Sequence, residues 1–230
     1  MRKHVFGGWL AAVILALSLA PRADAAVVFS NLDPDDDFAG TAAAQLGTGL
    51  GSSDFFYEAA MAFMPPGAED FTLDRIELAV GLHSGSNELD VFLYNDNAGV
   101  PGDLLESFHF SDAMQLFGST ALLAADSSLH PTLAGGSQYW LSALPSDVNT
   151  GAGWNANALG QSGYQALFDY AGGGTWVPDD GQSTQGAYRI SGSELPFPAP
   201  PGVVPEPSAF LLFGAGLAGL AGFRGRSRSS

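Results

Sequence analysis

The chain has 230 residues, of which 46% are hydrophobic and only 14% are charged, so it is long enough to bury one core. It contains no cysteine, which excludes disulfide bridges, cysteine-ligated zinc and thiol nucleophiles. Its formal net charge is −16, and a surface this acidic repels phosphate groups, so nucleic acid is not an expected partner.

The N-terminus has the organisation of a secretory signal peptide. Arg2 and Lys3 precede an apolar stretch over residues 9–20, and a small-x-small site follows at Ala23-Asp24-Ala25. The apolar stretch is shorter than the ~20 residues that a membrane-spanning helix needs. We therefore expect signal peptidase to cleave between Ala25 and Ala26 and to remove residues 1–25.

Residues 26–194 are predicted to form one exported domain. Thirty glycines, fourteen prolines and an aromatic content of 11% favour short strands joined by tight turns over long helices. The predicted fold class is all-β, a single jelly-roll-like β-sandwich. Within it, residues 31–54 are mostly small and polar, so we expect an irregular segment that adds at most one edge strand.

Two acidic clusters could bind calcium, which prefers hard oxygen ligands. The first lies at residues 33–37, where Asp33, Asp35 and Asp37 are the expected donors beside Asp36, and the second contains Asp96. Neither has the glycine and glutamate spacing of an EF-hand loop. Two interpretations stay open: weak calcium binding, or solvated acidic loops that keep the protein soluble. No other cofactor is expected.

Alternating apolar residues predict the individual strands. Residues 75–82 alternate with a period of two and predict one strand with a buried face, while Phe71 and Leu73 have the opposite parity and predict a bulge near Asp74. A second strand, residues 89–94, is predicted to end in a turn over residues 95–102. Shorter strands are predicted over residues 104–110, 120–124, 138–144 and 187–191.

The segment LYNDNAGVPG at residues 93–102, followed by LLESF at residues 104–108, resembles the "choice-of-anchor R" domain. The segment PTLAGGSQYWL at residues 131–141, the pair Trp154-Asn155 and the tripeptide Tyr188-Arg189-Ile190 are also similar to that family. The resemblance covers residues 63–192. It implies a β-rich exported domain of the kind found upstream of different C-terminal anchors, and it implies no catalytic residues.

The residues give no sign of catalysis. His83, His109 and His130 remain after export, and none has the spacing of a recognised metal motif. The segment GGSQY at residues 135–139 lacks the second glycine of a nucleophile elbow. Carboxylates are so frequent that their presence does not indicate a glycoside hydrolase. We therefore expect no enzymatic activity.

Two tryptophans are candidate glycan contacts. Trp154 and Trp176 lie among glycines in predicted loops, where an exposed flat ring can stack on a sugar face. Trp140 falls in a predicted strand, and we expect it to fill the core.

The C-terminal region consists of three parts in a fixed order. A proline-rich linker at residues 195–203 leads to Pro205-Glu206-Pro207, an apolar run at residues 209–223, and the basic residues Arg224, Arg226 and Arg228. Residues 204–230 resemble the PEP-CTERM sorting signal, whose bearers are substrates of the membrane peptidase exosortase. The positive-inside rule keeps the arginines cytoplasmic, which places Pro-Glu-Pro at the outer face of a membrane crossed by a helix over residues 209–223.

These observations predict an exported protein that resides transiently in the inner membrane and then reaches the cell surface or the extracellular space. The sorting resemblance implies exosortase as a partner and a structural or binding role linked to exopolysaccharide or biofilm matrix. The alternative is a secreted carbohydrate-binding module or a polysaccharide hydrolase.

Overall fold

The computed structural model describes residues 25–48, 56–170 and 173–195. The regular structure of these residues is entirely β, and the strands in chain order are β1 (Ala26–Ser30), β2 (Phe38–Gly47), β3 (Tyr57–Phe63), β4 (Phe71–Leu78), β5 (Val80–Ser84), β6 (Glu88–Asp96), β7 (Pro101–Ser111), β8 (Leu123–Asp126), β9 (Thr132–Leu133), β10 (Tyr139–Pro145), β11 (Gly151–Asn157), β12 (Ser162–Gly163), β13 (Gln165–Asp169), β14 (Trp176–Pro178), β15 (Ser183–Thr184) and β16 (Tyr188–Glu194). The predicted signal peptide up to residue 24, and the linker and tail from residue 196 onward, lie outside the described residues.

Most of these strands belong to two antiparallel sheets. The smaller sheet has the order β1-β16-β4-β8, with β9 also paired to β4. The larger sheet has the order β5-β11-β2-β3-β10-β6-β7, with β13 also paired to β3 and β14 paired to β13. Strands β12 and β15 form a separate pair. The predicted all-β class is therefore confirmed.

The largest cluster of buried apolar side chains combines residues of both sheets. From the smaller sheet, Leu73, Ile76 and Ile190 have no exposed surface, and from the larger sheet Leu93 and Leu141 have none either. Side chains alternate along a strand, so each sheet contributes one face to this shared core. Two sheets packed in this way are expected of a β-sandwich. The finer jelly-roll arrangement stays a prediction.

The predicted bulge in β4 is confirmed. Ser191 of β16 pairs with Arg75, but the next residue, Gly192, pairs with Leu73, so Asp74 is the extra residue. A bulge shifts the side-chain parity by one, which is why Phe71 and Ile76 are both buried in the shared core.

The predicted turn between β6 and β7 is also confirmed. Ala98 and Gly99 occupy the left-handed region with φ of 55° and 89°, and the Asn97 N–H donates to the Val100 carbonyl at 2.8 Å. Two left-handed residues in a two-residue loop are typical of a type I′ hairpin. Pro101 is the first residue of β7, which lies at the end of the larger sheet, where a missing N–H is tolerated.

The expectation for residues 31–54 is wrong in its main point. Residues Phe38–Gly47 form a ten-residue strand, β2, that lies between β11 and β3 in the larger sheet. This strand, FAGTAAAQLG, has few β-branched or aromatic residues, so its intrinsic propensity for β structure is low. Burial of Ala44 and Leu46 in the shared core stabilises it instead.

The prediction of one strand over residues 75–82 is wrong as well, because the chain changes sheets at Ala79. The Ala79 N–H donates to the Ala187 carbonyl next to β16, and its carbonyl accepts from Asn155 of β11. Strand β4 therefore ends in the smaller sheet, and β5 continues at the edge of the larger one. The alternating pattern continues through Ala79, so it gives no sign of this change.

Candidate functional site

The candidate site lies on the outer face of the larger sheet, which is turned away from the shared core. Alternation along β3 buries Met61 in the shared core and leaves Glu58 and Ala60 on the opposite face. On the neighbouring strand β10, Ser142 pairs with Ala60 and shares this outer face, and Tyr94 of β6 pairs with Trp140 two positions along. Four adjacent strands, from β13 to β6, thus supply one group of aromatic and polar side chains.

Glu58 is the polar centre of this group and is only 3% exposed. Its Oε1 accepts from the Ser142 hydroxyl at 2.5 Å and from the Tyr94 hydroxyl at 3.4 Å. Its Oε2 accepts from the Tyr170 hydroxyl at 2.9 Å. Burial raises the pKa of Glu58, and the three hydrogen bonds offset only part of this effect.

The two tyrosine hydroxyls are correspondingly weak acids. Burial and the nearby Glu58 carboxylate raise the pKa of Tyr94 and of Tyr170 above the ordinary value. Both hydroxyls therefore stay protonated at neutral pH and act as donors to Glu58, while their own lone pairs can still accept a hydrogen bond.

Two rings bind this carboxyl group, Tyr94 and Tyr170, and Phe168 and Trp176 pack against them; we call these four rings the aromatic patch. Phe168 contacts Tyr170 and Trp176 edge to face, with centroid distances of 4.7 and 5.2 Å. Trp176 in turn meets the edge of Tyr94 at 6.2 Å. Edge-to-face packing is the favoured geometry of aromatic rings. Tyr170 is nevertheless 47% exposed, and the other three rings are half-buried.

The contact between Trp176 and Tyr94 shows that the β13–β14 hairpin curls over the outer face. Strand β13 is three strand positions from β6, a backbone separation of about 14 Å in a flat sheet. Trp176 lies on β14, beyond β13, and yet reaches Tyr94 on β6. Trp176 also packs against the small cluster around Trp140, a ring that has no exposed surface.

The charged groups that line β6 on this face are acidic. The described arginines, Arg75 and Arg189, lie on β4 and β16 of the smaller sheet, where both pair with Glu77. On the larger sheet, Asp90 and Asp96 share the parity of Tyr94 along β6. His109 on β7 pairs with Asp90, and Asp90 together with Glu88 raises its pKa.

The prediction that Trp154 lies in a loop and can contact a glycan is wrong. Trp154 is in the middle of β11 and has no exposed surface. Its indole N–H donates to the Ala187 carbonyl at 3.0 Å, and its ring meets Tyr188 edge to face at 5.8 Å. The glycines beside it allow close packing of the chain and do not mark a loop. Trp140, expected in the core, is buried, although in the outer cluster and not in the shared core.

The predicted calcium donors Asp33 and Asp96 accept hydrogen bonds from groups of the protein. Asp33 Oδ1 accepts from the N–H groups of Asp35 and Asp37, which closes the acidic loop on itself, and Asp36 pairs with Arg189. Asp96 accepts from Gln138, Trp140 and the Gly99 N–H at the end of β6. Among the described residues, no three acidic or histidine side chains are grouped to hold a metal ion.

A nucleophile with a histidine base is not found in the part of the chain that the structure describes. The Ser142 hydroxyl donates to Glu58, while His109 is bound by Asp90 and Glu88 and His130 by the Leu73 carbonyl. His83 packs against Phe117, and burial lowers its pKa.

From the sequence, Tyr170 and Trp176 are among the aromatic residues that suggest carbohydrate binding, but only Trp176 was selected as a contact, and Glu58 and Tyr94 were not identified. One signal was available: the strand YEAAMAF has a single charged residue in an otherwise apolar run. A carboxylate at such a position is buried against hydrogen-bond donors more often than it is left alone. The identity of those donors depends on which strands neighbour β3, and this information is not local.

Comparison with known proteins concerns the other end of the chain. Residues 203–227 match the family model described as the PEP-CTERM protein-sorting motif. No curated protein matches the chain. The motif indicates an exported protein that is sorted to the cell surface with exosortase as the sorting partner. The described residues include no helix long and apolar enough to cross a membrane, and the predicted helix over residues 209–223 is not among them.

Proposed function

We propose that exosortase cleaves this chain near Pro205-Glu206-Pro207 and that the released β-domain acts as a structural or binding module in extracellular polysaccharide or biofilm matrix. The observation that carries this proposal is the sorting motif over residues 203–227. The order of Pro-Glu-Pro, an apolar run and terminal arginines supports a transient stage in the inner membrane.

The composition of the domain supports a matrix role without turnover. Between residues 26 and 203, 22 acidic residues stand against Arg75 and Arg189, so the domain is strongly acidic and soluble. Two buried carboxyl groups that could otherwise suggest catalysis accept hydrogen bonds within the protein. Hydroxyl groups donate to Glu58, and a serine-rich loop donates to Glu106. The resemblance of the domain to the "choice-of-anchor R" family supports the same role.

A second candidate function is a secreted carbohydrate-binding module, which the aromatic patch favours. A polysaccharide hydrolase receives less support. Glycoside hydrolysis needs two carboxyl groups on either side of the scissile bond. The hydrogen bonds and ring contacts described above for the aromatic patch involve one carboxyl group, that of Glu58.

The processing step is tested in two bacterial hosts that differ only in the exosortase gene. We expect the chain to leave the membrane fraction in the host with exosortase and to stay there in the host without it. Replacing Pro205, Glu206 and Pro207 with alanine should retain the chain in both hosts. A matched control replaces Pro198 and Pro200 of the linker, which should leave release unchanged. Equal release from both hosts would contradict the proposal.

A further inference from the structure

We propose that the aromatic patch binds a neutral polysaccharide chain across the outer face of the larger sheet. This inference rests on the binding role proposed above and makes it specific: it names the face, the residues and the class of ligand. Three features of this face support the proposal: the rings, the polar groups beside them and the charge around them.

The rings supply the stacking surface. Tyr170 is 47% exposed and Trp176 is half-buried. Both rings lie outside the shared core, whereas large aromatic rings are usually enclosed in a core. Their edge-to-face contacts through Phe168 fix the orientation of each ring, so little side-chain entropy is lost when a ligand binds. The C–H-bearing face of a sugar ring is apolar and can cover such rings.

The polar groups beneath supply hydrogen bonds. The hydroxyls of Tyr94 and Tyr170 are held in place by donating to Glu58, and each keeps a lone pair that can accept from a sugar hydroxyl. The Ser142 hydroxyl also donates to Glu58. The carboxyl group of Glu58 therefore has its hydrogen-bond donors within the protein, and it positions the hydroxyls of the two tyrosines. A few oriented polar groups within an apolar surface are typical of a ligand site.

The charge of the face selects the class of ligand. Asp90 and Asp96 lie on β6 with the same side-chain parity as Tyr94, while the described arginines are on the other sheet. His109, the basic group near Asp90, is already paired with Asp90 and Glu88. A polysaccharide with carboxylate or sulfate groups would meet repulsion from Asp96 and from the strongly acidic domain as a whole, whereas a neutral chain would not.

The test uses the full chain, so that it does not depend on processing of the tail. The protein is purified in lauryldimethylamine oxide, a detergent without a sugar headgroup, and run on native gels that contain dextran, galactomannan, hydroxyethyl cellulose or alginate. We expect retardation by at least one of the three neutral polymers and none by alginate, a polyuronate. No retardation by any neutral polymer, or equal retardation by alginate, would overturn the proposal.

Substitutions locate the site. Trp176→Ala should weaken the affinity about tenfold, as expected for the loss of one stacked ring. Trp176→Phe should retain most of it because a ring remains. Val177→Ala is the matched control: Val177 is the next residue of β14, 59% exposed and on the opposite face of the strand. Retardation that is unchanged by Trp176→Ala would place binding elsewhere and overturn the proposal.

A second measurement needs no substitution and therefore does not depend on the folding of a variant. Trp140 and Trp154 have no exposed surface, so Trp176 is the accessible ring among the tryptophans of the described residues. N-bromosuccinimide should oxidise Trp176, and the neutral polymer that retards the protein should protect it, as read by peptide mass. Oxidation at an unchanged rate would overturn the proposal. Because the uncleaved chain is used, this failure is distinct from a failure of exosortase processing.

Discussion

At the scale of single residues, Glu58 should make stability depend on pH. Its pKa in the folded state is raised above the ordinary value of 4.5 by burial, so the folded chain holds this proton more tightly than the unfolded chain does. Stability linked to Glu58 is therefore complete below pH 4.5 and is lost as pH rises through the folded pKa. Glu58→Gln keeps the shape of the side chain without the ionisation. Thermal melts between pH 4 and pH 8 should show a smaller loss of Tm with rising pH for this variant.

Glu106 provides the control with the opposite sign. Burial disfavours its ionisation, but hydrogen bonds from Ser127, Ser128 and Leu129 outweigh burial and lower its pKa. Its contribution is present above the unfolded pKa and is lost as pH falls through the folded one. Glu106→Gln should thus flatten the profile below the unfolded pKa of about 4.5, so the melts for this variant are extended from pH 4 down to about pH 2. If both variants changed the profile in the same direction, the account of Glu58 would be wrong.

Trp154 and Trp176 show why the exposure of a single residue could not be predicted from the sequence. Trp154 and Trp176 both have glycines nearby in the sequence, and the same argument assigned both to exposed loops. One is enclosed between the Ala187 carbonyl and Tyr188, and the other is half-buried on a hairpin. Glycine allows a turn, but it also allows a large ring to approach the backbone. Which of these occurs depends on residues far along the chain.

At the scale of elements, close packing of Trp154 against Gly186 should be essential to β11. A Cβ on Gly186 would lie 2.5 Å from the Trp154 ring, nearer than any real contact, so Gly186→Ala must displace a buried indole. Overpacking of this kind costs about 1–3 kcal/mol. Urea unfolding followed by tryptophan fluorescence should show this loss in the free energy of unfolding.

Gly40 of β2 is the matched position for that experiment. A Cβ there would meet nothing within 4 Å, and the backbone does not adopt a positive φ. Gly40→Ala should leave the free energy of unfolding unchanged or raise it by up to about 1 kcal/mol, because alanine restricts the unfolded chain. An equal loss at both positions would show that the indole contact is not the cause.

Local features of the elements could be predicted from the sequence, and features set by distant contacts could not. The bulge at Asp74 and the hairpin at Ala98-Gly99 follow from side-chain parity and turn chemistry within a few residues. The central place of β2 and the change of sheet at Ala79 depend on β11 and β16, which lie about a hundred residues further on. Strand β2 was therefore missed because its intrinsic β propensity is weak. The boundary between β4 and β5 was missed because the alternation of apolar residues continues through Ala79.

At the scale of the whole molecule, the chain combines a β-domain with a C-terminal motif for sorting. The motif was recognisable from the sequence because its three parts are contiguous and follow a fixed order. The proposed binding face was recognised only in part, since Glu58, Tyr94, Phe168 and Trp176 come from four strands and Tyr170 follows β13. The sorting signal is thus a contiguous stretch of sequence, whereas the proposed ligand-binding surface forms only when distant segments of the chain fold together.

The most direct test of the account is the intact mass of the protein recovered outside a host that has exosortase. The account predicts an N-terminus at Ala26 and a C-terminus within residues 205–208, so that the apolar run over residues 209–223 is absent. In the host that lacks exosortase, the membrane fraction should hold a species that begins at Ala26 and still ends at Ser230. An exported protein that retains Arg224, Arg226 and Arg228 in the host with exosortase would contradict the account, because the tail would then be a plain anchor.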